Sequence, residues 1–258
     1  MPPEASRAIV GGLRMVMYNR LLEGRGKELV ELVPQLFEWS LGYEPPPQRL
    51  PQRRERPGSA GHYQPEDPAE RIMAAVAETM AQRGYGRATI GEIAARAGVS
   101  LSTFYENFDG KEAALLATLE SGQARLVGVV RPAYRRGKDW PGAVRAGVEA
   151  MLAFFAAEPA FAQLVVSELY AAGKPALAQR NRGIAALGEL LEPGFDRSPQ
   201  MPEVAREAIG GMLNELLYVQ IRREGAARLQ RVAPLATYLT LSPFVGAAEA
   251  CAVARGRR

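Results

Sequence analysis

The chain has 258 residues, of which 47% are hydrophobic and 7% aromatic, with one cysteine, one histidine and a net charge of +4. The lone Cys251 excludes an intrachain disulfide, and the lone His62 argues against a histidine-based metal site or catalytic triad. Residues 66–119 carry 5 basic and 8 acidic side chains, hence −3, so the overall charge does not by itself identify a nucleic-acid-binding protein.

Residues 6–42 are predicted to form two helices, because their apolar side chains recur at spacings of three and four. We assign residues 1–43 to this N-terminal hairpin. Residues 44–65 are rich in Pro, Gly and Arg and are predicted to be a linker. Within it, residues 49–56 carry 4 basic and 1 acidic side chains, and they form either a basic arm for DNA or a solvated linker.

The N-terminal hairpin resembles a later part of the same chain. A shift of 200 residues, without gaps, places residues 8–41 over residues 208–241. The identical pairs are Ala8/Ala208, Ile9/Ile209, Gly11/Gly211, Leu13/Leu213, Tyr18/Tyr218, Leu29/Leu229, Pro34/Pro234 and Leu41/Leu241. Either two Ala- and Leu-rich hairpins agree by composition, or the first is the closing hairpin of a preceding copy of the same module.

Three capping boxes are predicted to begin helices, at Asp67, Thr89 and Asp109, each with a Glu three residues later. They indicate helices over 68–83 and 90–97 and a long helix from about residue 110. Gly98 suits the left-handed residue of a turn, and Ser100 can cap a short helix over 101–107. The expected small core consists of Ile72, Val76, Ile90, Ile93, Ala94, Val99, Phe104 and Phe108.

Two short helices joined by such a turn are typical of a helix-turn-helix, whose second helix enters the DNA major groove. The segment RIMAAVAETMAQRGYGRATIGEIAARAGVSLSTFYENFDGKEAALLATLE closely resembles the DNA-binding domain of the TetR family of repressors. We assign this domain to residues 66–115. The resemblance implies that Tyr105 and Lys111 contact the DNA backbone and that Leu101, Ser102, Thr103 and Asn107 face the bases or groove edge. Thr89, at a helix N-terminus, is expected to meet a phosphate.

Residues 116–258 are predicted to form a helical ligand-binding and dimerisation domain, which makes the whole chain all-α. The long helix is expected to end near residue 130, before Pro132, and further helices are expected at 141–157, 160–172, 175–192, 203–223 and 226–242. Glu168, an acid on a mostly apolar helix, either orients a ligand or lies on an exposed face. The candidates for the pocket wall are Met151, Phe154, Phe155, Phe161, Leu164, Glu168, Tyr170, Met212 and Tyr218.

The resemblance implies a further role for residues 203–242, as a homodimer interface in which Gly210 and Gly211 permit close helix approach. The N-terminal hairpin is expected to pack on residues 204–242 of its own chain or of a partner. The expected function is that of a cytoplasmic transcriptional regulator, a repressor, that binds a palindromic double-stranded DNA operator as a dimer. A small hydrophobic effector would release it.

No catalytic residue, metal, cofactor or membrane partner is expected, because the chain lacks a paired-carboxylate helix motif, a Gly-rich phosphate loop and an apolar run of membrane-spanning length. The chain is therefore not expected to be an enzyme. The alternative is a helical ligand-binding or protein-interaction module with a weak or vestigial DNA-binding domain, which the −3 charge of residues 66–119 favours.

Overall fold

The computed structural model describes residues 1–52 and 65–256 and contains no strand within those ranges, so the predicted all-α class is confirmed. The first five helices are α1 Pro3–Leu22, α2 Leu29–Leu41, α3 Pro68–Arg83, α4 Ile90–Ala97 and α5 Leu101–Asn107. The remaining helices are α6 Lys111–Arg135, α7 Trp140–Ala157, α8 Pro159–Gln163, α9 Leu169–Ala172, α10 Lys174–Gly188, α11 Glu192–Arg197, α12 Val204–Glu224 and α13 Ala233–Ala254.

The ends of α3, α4 and α5 agree with the predicted capping residues. Asp67 accepts the backbone N–H of Glu70 at 2.8 Å, and Thr89 forms a complete capping box with Glu92. Gly98 ends α4 in the left-handed conformation, at φ 65°. The third predicted box is wrong, because Gly110 is the N-cap of α6, which leaves Asp109 one residue too early to cap the helix.

Residues 116–256, which we call the sensing half after their predicted role, depart from the sequence-based helix limits in three places. α6 continues through Pro132 to Arg135, where Tyr134 packs on the core and donates its hydroxyl to the Leu190 carbonyl at 3.0 Å. A π-helical turn, Leu164–Glu168, separates α8 from α9. The last helix starts at Ala233, after a 3-10 segment, and reaches Ala254 rather than residue 242, with a kink at Gly246.

The N-terminal hairpin packs on α12 of its own chain, chiefly through α1. The segment after α2 then runs along α13, where Tyr238 donates its hydroxyl to the Glu44 carbonyl at 2.7 Å. α12 lies within the segment predicted to form the homodimer, residues 203–242, and one of its faces is covered here by α1. Of the basic stretch 49–56, Arg53, Arg54 and Arg56 lie outside the described residues, as does His62.

No single helix among the described residues is long and apolar enough to cross a membrane. α7 together with the segment 159–172 reaches that apolar length only as a pair bent by 105°. In the same residues, no cluster of His, Cys, Asp or Glu side chains has an arrangement that would hold a metal ion.

Candidate nucleic-acid interface and ligand cavity

Helix α5 is fixed against α3 and α4 by one buried aromatic side chain. Phe104 is fully buried with Ile72 and Ile93, and Phe108 packs at the edge of the same cluster. This small core has the predicted membership, with Ile90 and Val99 partly buried at its rim. Because Phe104 faces inward, the opposite side of α5 faces solvent.

The solvent side of α5 carries the predicted base-facing and groove-edge residues. The side chains of Leu101 and Tyr105 are exposed by 53% and 56%, which leaves the Tyr105 ring and hydroxyl accessible. The polar side chains beside them are held by bonds along the helix: Ser102 Oγ donates to Glu106 at 3.2 Å, and Asn107 Nδ2 donates to the Thr103 carbonyl at 2.8 Å. Thr103 Oγ1 lies 3.0 Å from Ser100 Oγ. The exposed surface is thus preordered for contact with a groove.

Thr89 and Lys111 are both committed to contacts inside the protein. Lys111 Nζ donates to the carbonyls of Tyr85 and Ala88, at 2.8 and 3.0 Å, and lies 4.4 Å from the centre of the Tyr85 ring. Two of its three donors are therefore used before any DNA phosphate is met. Hydrogen bonds from the backbone and hydroxyl of Thr89 hold the pKa of Glu92 below its usual value, so this capping carboxylate stays ionised.

Sequence reasoning missed two charged side chains at this surface. Arg87 is exposed two residues before Thr89, and its Nε donates to the Arg83 carbonyl at 2.8 Å, so the rest of its guanidinium faces solvent beside the N-terminus of α4. Glu106 is exposed on α5 itself and places a negative charge where phosphates would approach. The net −3 of the domain therefore conceals a local cation beside the expected phosphate position.

A cavity of about 140 Å³ lies in the sensing half, between α6, α7, α10 and α12. Its wall is almost entirely apolar and includes Val130, Val148, Ile184 and Leu217. A concave, mostly apolar space with few polar groups is the usual form of a small-molecule site.

Three of the nine predicted pocket residues line this cavity: Met151, Phe155 and Phe161. The other six lie outside the wall of this cavity, because inward-facing side chains of a helix also pack in the core. Leu164 and Met212 are fully buried in the core, and Phe154 packs edge-on against Phe155 and Phe161. Glu168, Tyr170 and Tyr218 are also absent from the wall.

Arg180, a buried cation on the cavity wall, was not predicted from the sequence. Arg180 on α10 is 2% exposed, and its Nε and Nη2 donate to Asn181 Oδ1 at 3.2 and 3.0 Å. Its guanidinium lies 5.2 Å from the Tyr170 ring, and its Nη1 has no hydrogen-bond partner among the described residues. A buried guanidinium without a carboxylate partner is costly unless an anionic group binds there.

Glu168 connects the two halves of the molecule instead of lining the cavity. Its carboxylate accepts the backbone N–H of Tyr85 at 3.2 Å, in the turn between α3 and α4. The π-helical turn that ends at Glu168 also places Val165 and Val166 on the cavity wall. The wall residue Val166 and Glu168, which bonds to the turn before the helix-turn-helix, are therefore two positions apart in one π-helical turn.

Comparison with known proteins identifies relatives of the helix-turn-helix and of the overall fold. Residues 72–118 match the model of the bacterial regulatory proteins of the tetR family. The HTH-type transcriptional activator FasR of Mycolicibacterium smegmatis is 40% identical over 83 residues, which are 32% of this chain and 38% of that protein. The matched part therefore spans less than half of this curated relative.

Two solved regulators share the fold over most of their length. The fatty acid degradation regulator FadR of Bacillus halodurans has a TM-score of 0.61 at 23% identity, covering 69% of this chain and 97% of that one. The transcriptional regulator FadR of Bacillus subtilis, in complex with stearoyl-CoA, has a TM-score of 0.58 at 18% identity, covering 68% and 97%.

The family that residues 72–118 match consists of bacterial regulatory proteins. The predicted TetR-type motif, its helix-turn-helix geometry and the shared all-α architecture agree with one another. Residues 72–118 of this chain carry the helix-turn-helix of the tetR family of bacterial regulatory proteins, and the described residues share the all-α fold of solved regulators.

Proposed function

We propose that this chain is a transcriptional regulator whose affinity for a DNA operator is controlled by an acyl ligand bound beside Arg180. The observation that carries the proposal is the buried guanidinium of Arg180 on a predominantly apolar cavity wall. The wall fits a hydrocarbon chain, and the guanidinium fits a carboxylate or phosphate, so the ligand combines an apolar tail with an anionic group. The likeness to a FadR in complex with stearoyl-CoA supports this ligand class.

The size of the cavity indicates how the ligand would act. A cavity of about 140 Å³ is close to the roughly 150 Å³ apolar cavity that holds benzene. A long acyl chain therefore has to displace part of the wall. The π-helical turn 164–168 is a wall element that lacks regular α-helical hydrogen bonding, and such turns occur often at functional sites.

Displacement of this turn reaches the DNA-binding domain through a short series of hydrogen bonds. Glu168 accepts from the Tyr85 backbone, the Tyr85 carbonyl accepts from Lys111, and Lys111 also donates to Ala88, directly before the Thr89 cap of α4. Ligand binding would thereby reorient α4 and α5 and lower the affinity for DNA.

The operator is proposed to be palindromic, with two recognition helices about 34 Å apart, one DNA turn. Release from DNA relieves repression where the operator overlaps a promoter, and ends activation where it lies upstream. The relative FasR is named an activator, so the same release step serves either outcome.

Replacing Arg180 tests the ligand. Arg180→Met keeps the length of the side chain but removes every donor, so we expect affinity for stearoyl-CoA to fall at least about tenfold, which corresponds to about 1.4 kcal/mol. Stability should hold or rise, because a buried unpaired charge is removed. Isothermal titration with stearoyl-CoA and, separately, stearate measures both candidate anionic groups.

The matched control is Arg182→Met, which removes an exposed arginine from the same helix and should leave both affinities unchanged. If Arg180→Met binds both ligands as tightly as the unmodified chain, the acyl-ligand proposal is wrong. If only stearoyl-CoA binding falls, Arg180 contacts a phosphate of the CoA moiety, and if only stearate binding falls, it contacts the carboxylate. If both fall, the anionic group of either ligand binds at Arg180.

Replacing Glu168 tests the coupling between ligand and DNA. Allosteric couplings typically amount to about 5–150-fold in affinity. We expect Glu168→Leu to bind ligand and DNA separately but to reduce the effect of ligand on DNA affinity to less than about threefold. Glu168→Gln keeps an oxygen acceptor for the Tyr85 N–H and should retain most of the coupling. DNA binding measured by fluorescence anisotropy, with and without ligand, decides the matter; a Leu variant with full coupling would contradict the route.

A further inference from the structure

The contact between α1 and α12 is arranged like a two-fold dimer interface. A side chain on Gly11 would collide with Glu215, and a Cβ on Gly211 would lie 2.7 Å from the Cβ of Met15. In the 200-residue repeat, position 11 corresponds to position 211 and position 15 corresponds to position 215. The contact of Gly11 with Glu215 is therefore the repeat equivalent of the contact of Gly211 with Met15. Reciprocal contacts of this kind characterise isologous interfaces, in which the same patch is used on both sides.

Specific polar bonds support this contact. Glu215 is 4% exposed on α12 and accepts hydrogen bonds from Arg7 and Arg14, at 3.1 and 2.5 Å. Asn19 donates to Glu207 at 2.7 Å. The hairpin 3–41 therefore occupies the place that the equivalent hairpin of a second subunit would take on α12.

The opposite side of the hairpin exposes a continuous apolar surface, which we call the outer stripe. Its members are large apolar side chains that recur at helical spacing on α1 and α2. The most exposed is Val30, at 79%, and Phe37 is exposed by 61%. The outer stripe consists of Val10, Met17, Leu21, Val30, Val33, Phe37 and Leu41. A surface of this kind on a regulator marks an interaction site.

The repeat shows what covers the same positions in the second hairpin. Leu217, Ala233, Thr237 and Leu241 correspond to Met17, Val33, Phe37 and Leu41, and all four are buried. Leu217 lies on the cavity wall, and α13 packs on α7. In the 204–241 copy, the stripe positions therefore face the sensing bundle of their own module.

We propose that the outer stripe binds a second TetR-type sensing bundle, one that lacks a closing hairpin of its own. The hairpin 3–41 would complete that bundle as residues 204–241 complete this one. The chain's own bundle is not the occupant, since α12 and α13 already close it. In addition, Val10 corresponds in the repeat to Gly210, and a side chain at position 210 would collide with Ile184 of this bundle. The N-terminal hairpin therefore does not fit this bundle in place of α12 and α13. The assembled particle would carry two helix-turn-helix domains related by the α1–α12 contact.

The experiment is photo-crosslinking of the full chain, tagged and produced from its own gene in the native host. Phe37 is replaced by the photoreactive p-benzoylphenylalanine, and the control places the same group at Glu31, which is exposed on α2 to one side of the stripe. We expect position 37, and not position 31, to crosslink to a helix that follows a TetR-type helix-turn-helix and aligns with α7 or α10. That helix can belong to the same polypeptide or to another.

A crosslink between the stripes of two copies of this chain would overturn the proposal. So would a crosslink to lipid or to a protein without a TetR-type motif, or a yield at position 37 no higher than at position 31. A second variant, Phe37→Glu, should keep the thermal midpoint of the chain within a few degrees, because the side chain is exposed. It should abolish the non-covalent assembly that the unmodified chain shows on size exclusion, and an assembly that survives this charge would also count against the proposal.

Discussion

Tyr105→Ala should lower affinity for the operator by roughly tenfold to hundredfold for each helix-turn-helix that carries the change. The ring is 56% exposed on α5, and its hydroxyl is free to donate to a phosphate. Hydrogen bonds to charged groups are worth about 1.5–3 kcal/mol, which sets the size of the loss. Fluorescence anisotropy with DNA from around the chain's own gene, across a salt series, measures it.

Two neighbouring substitutions make this result interpretable. Tyr105→Phe removes only the hydroxyl, so an equal loss assigns the effect to hydrogen bonding, and a smaller one assigns part of it to ring packing. Glu106→Gln removes a negative charge from the same exposed face and should raise affinity, because phosphate neutralisation dominates binding. Opposite signs at adjacent positions cannot arise from general loss of folding.

The same measurement separates the regulator from its alternative. Binding no tighter than to an unrelated fragment, unchanged by Tyr105→Ala, would indicate a weak or vestigial DNA-binding domain and leave the helical bundle as the functional part.

The size of the loss in affinity that Tyr105→Ala causes also indicates how many copies of this domain bind the operator. If two identical domains engage the operator, the free-energy cost of the substitution is counted twice, whereas pairing with a different module counts it once.

The DNA-binding domain was predictable because its limits are encoded locally. Asp67, Thr89, Ser100 and Gly98 each satisfy or terminate a helix through bonds to residues three or four positions away. Such caps depend on neighbouring residues only, so a single sequence reveals them. The one box that failed, at Asp109, failed by a shift of one residue.

The ligand cavity was less predictable because its polar group acts over a long range. Arg180 is one of two arginines in the segment LAQRNRG, and only its burial distinguishes it from Arg182. Glu168 stood out as an acid among apolar residues, but its partner Tyr85 lies 83 positions away in the other half of the chain. The periodicity of apolar residues shows which side of a helix faces inward. It does not show whether that side borders a cavity or a close-packed core.

Gly122→Ala should abolish or sharply weaken ligand binding, although it adds a single methyl group. A Cβ at position 122 of α6 would overlap the ring of Phe161, which is buried and flanked by Phe154 and Phe155. The ring's remaining free side is the cavity, whose wall it forms. Overpacking a core costs about 1–3 kcal/mol, more than the roughly 1 kcal/mol that alanine gains over glycine in a helix. We therefore expect a lower thermal midpoint and at least a tenfold loss in affinity for stearoyl-CoA, about 1.4 kcal/mol.

The control is the same substitution six residues later in the same helix. Gly128 is exposed, and a Cβ there meets no atom within 4 Å, so Gly128→Ala should gain about 0.5–1 kcal/mol of stability from helix propensity alone. Calorimetry of both variants, with and without stearoyl-CoA, compares stability and ligand binding in one series. If Gly122→Ala matched Gly128→Ala in both, the Phe161 ring would have room to move without entering the cavity. A loss of stability with full ligand binding would instead place the acyl chain away from Phe161, on the α10 and α12 side of the cavity.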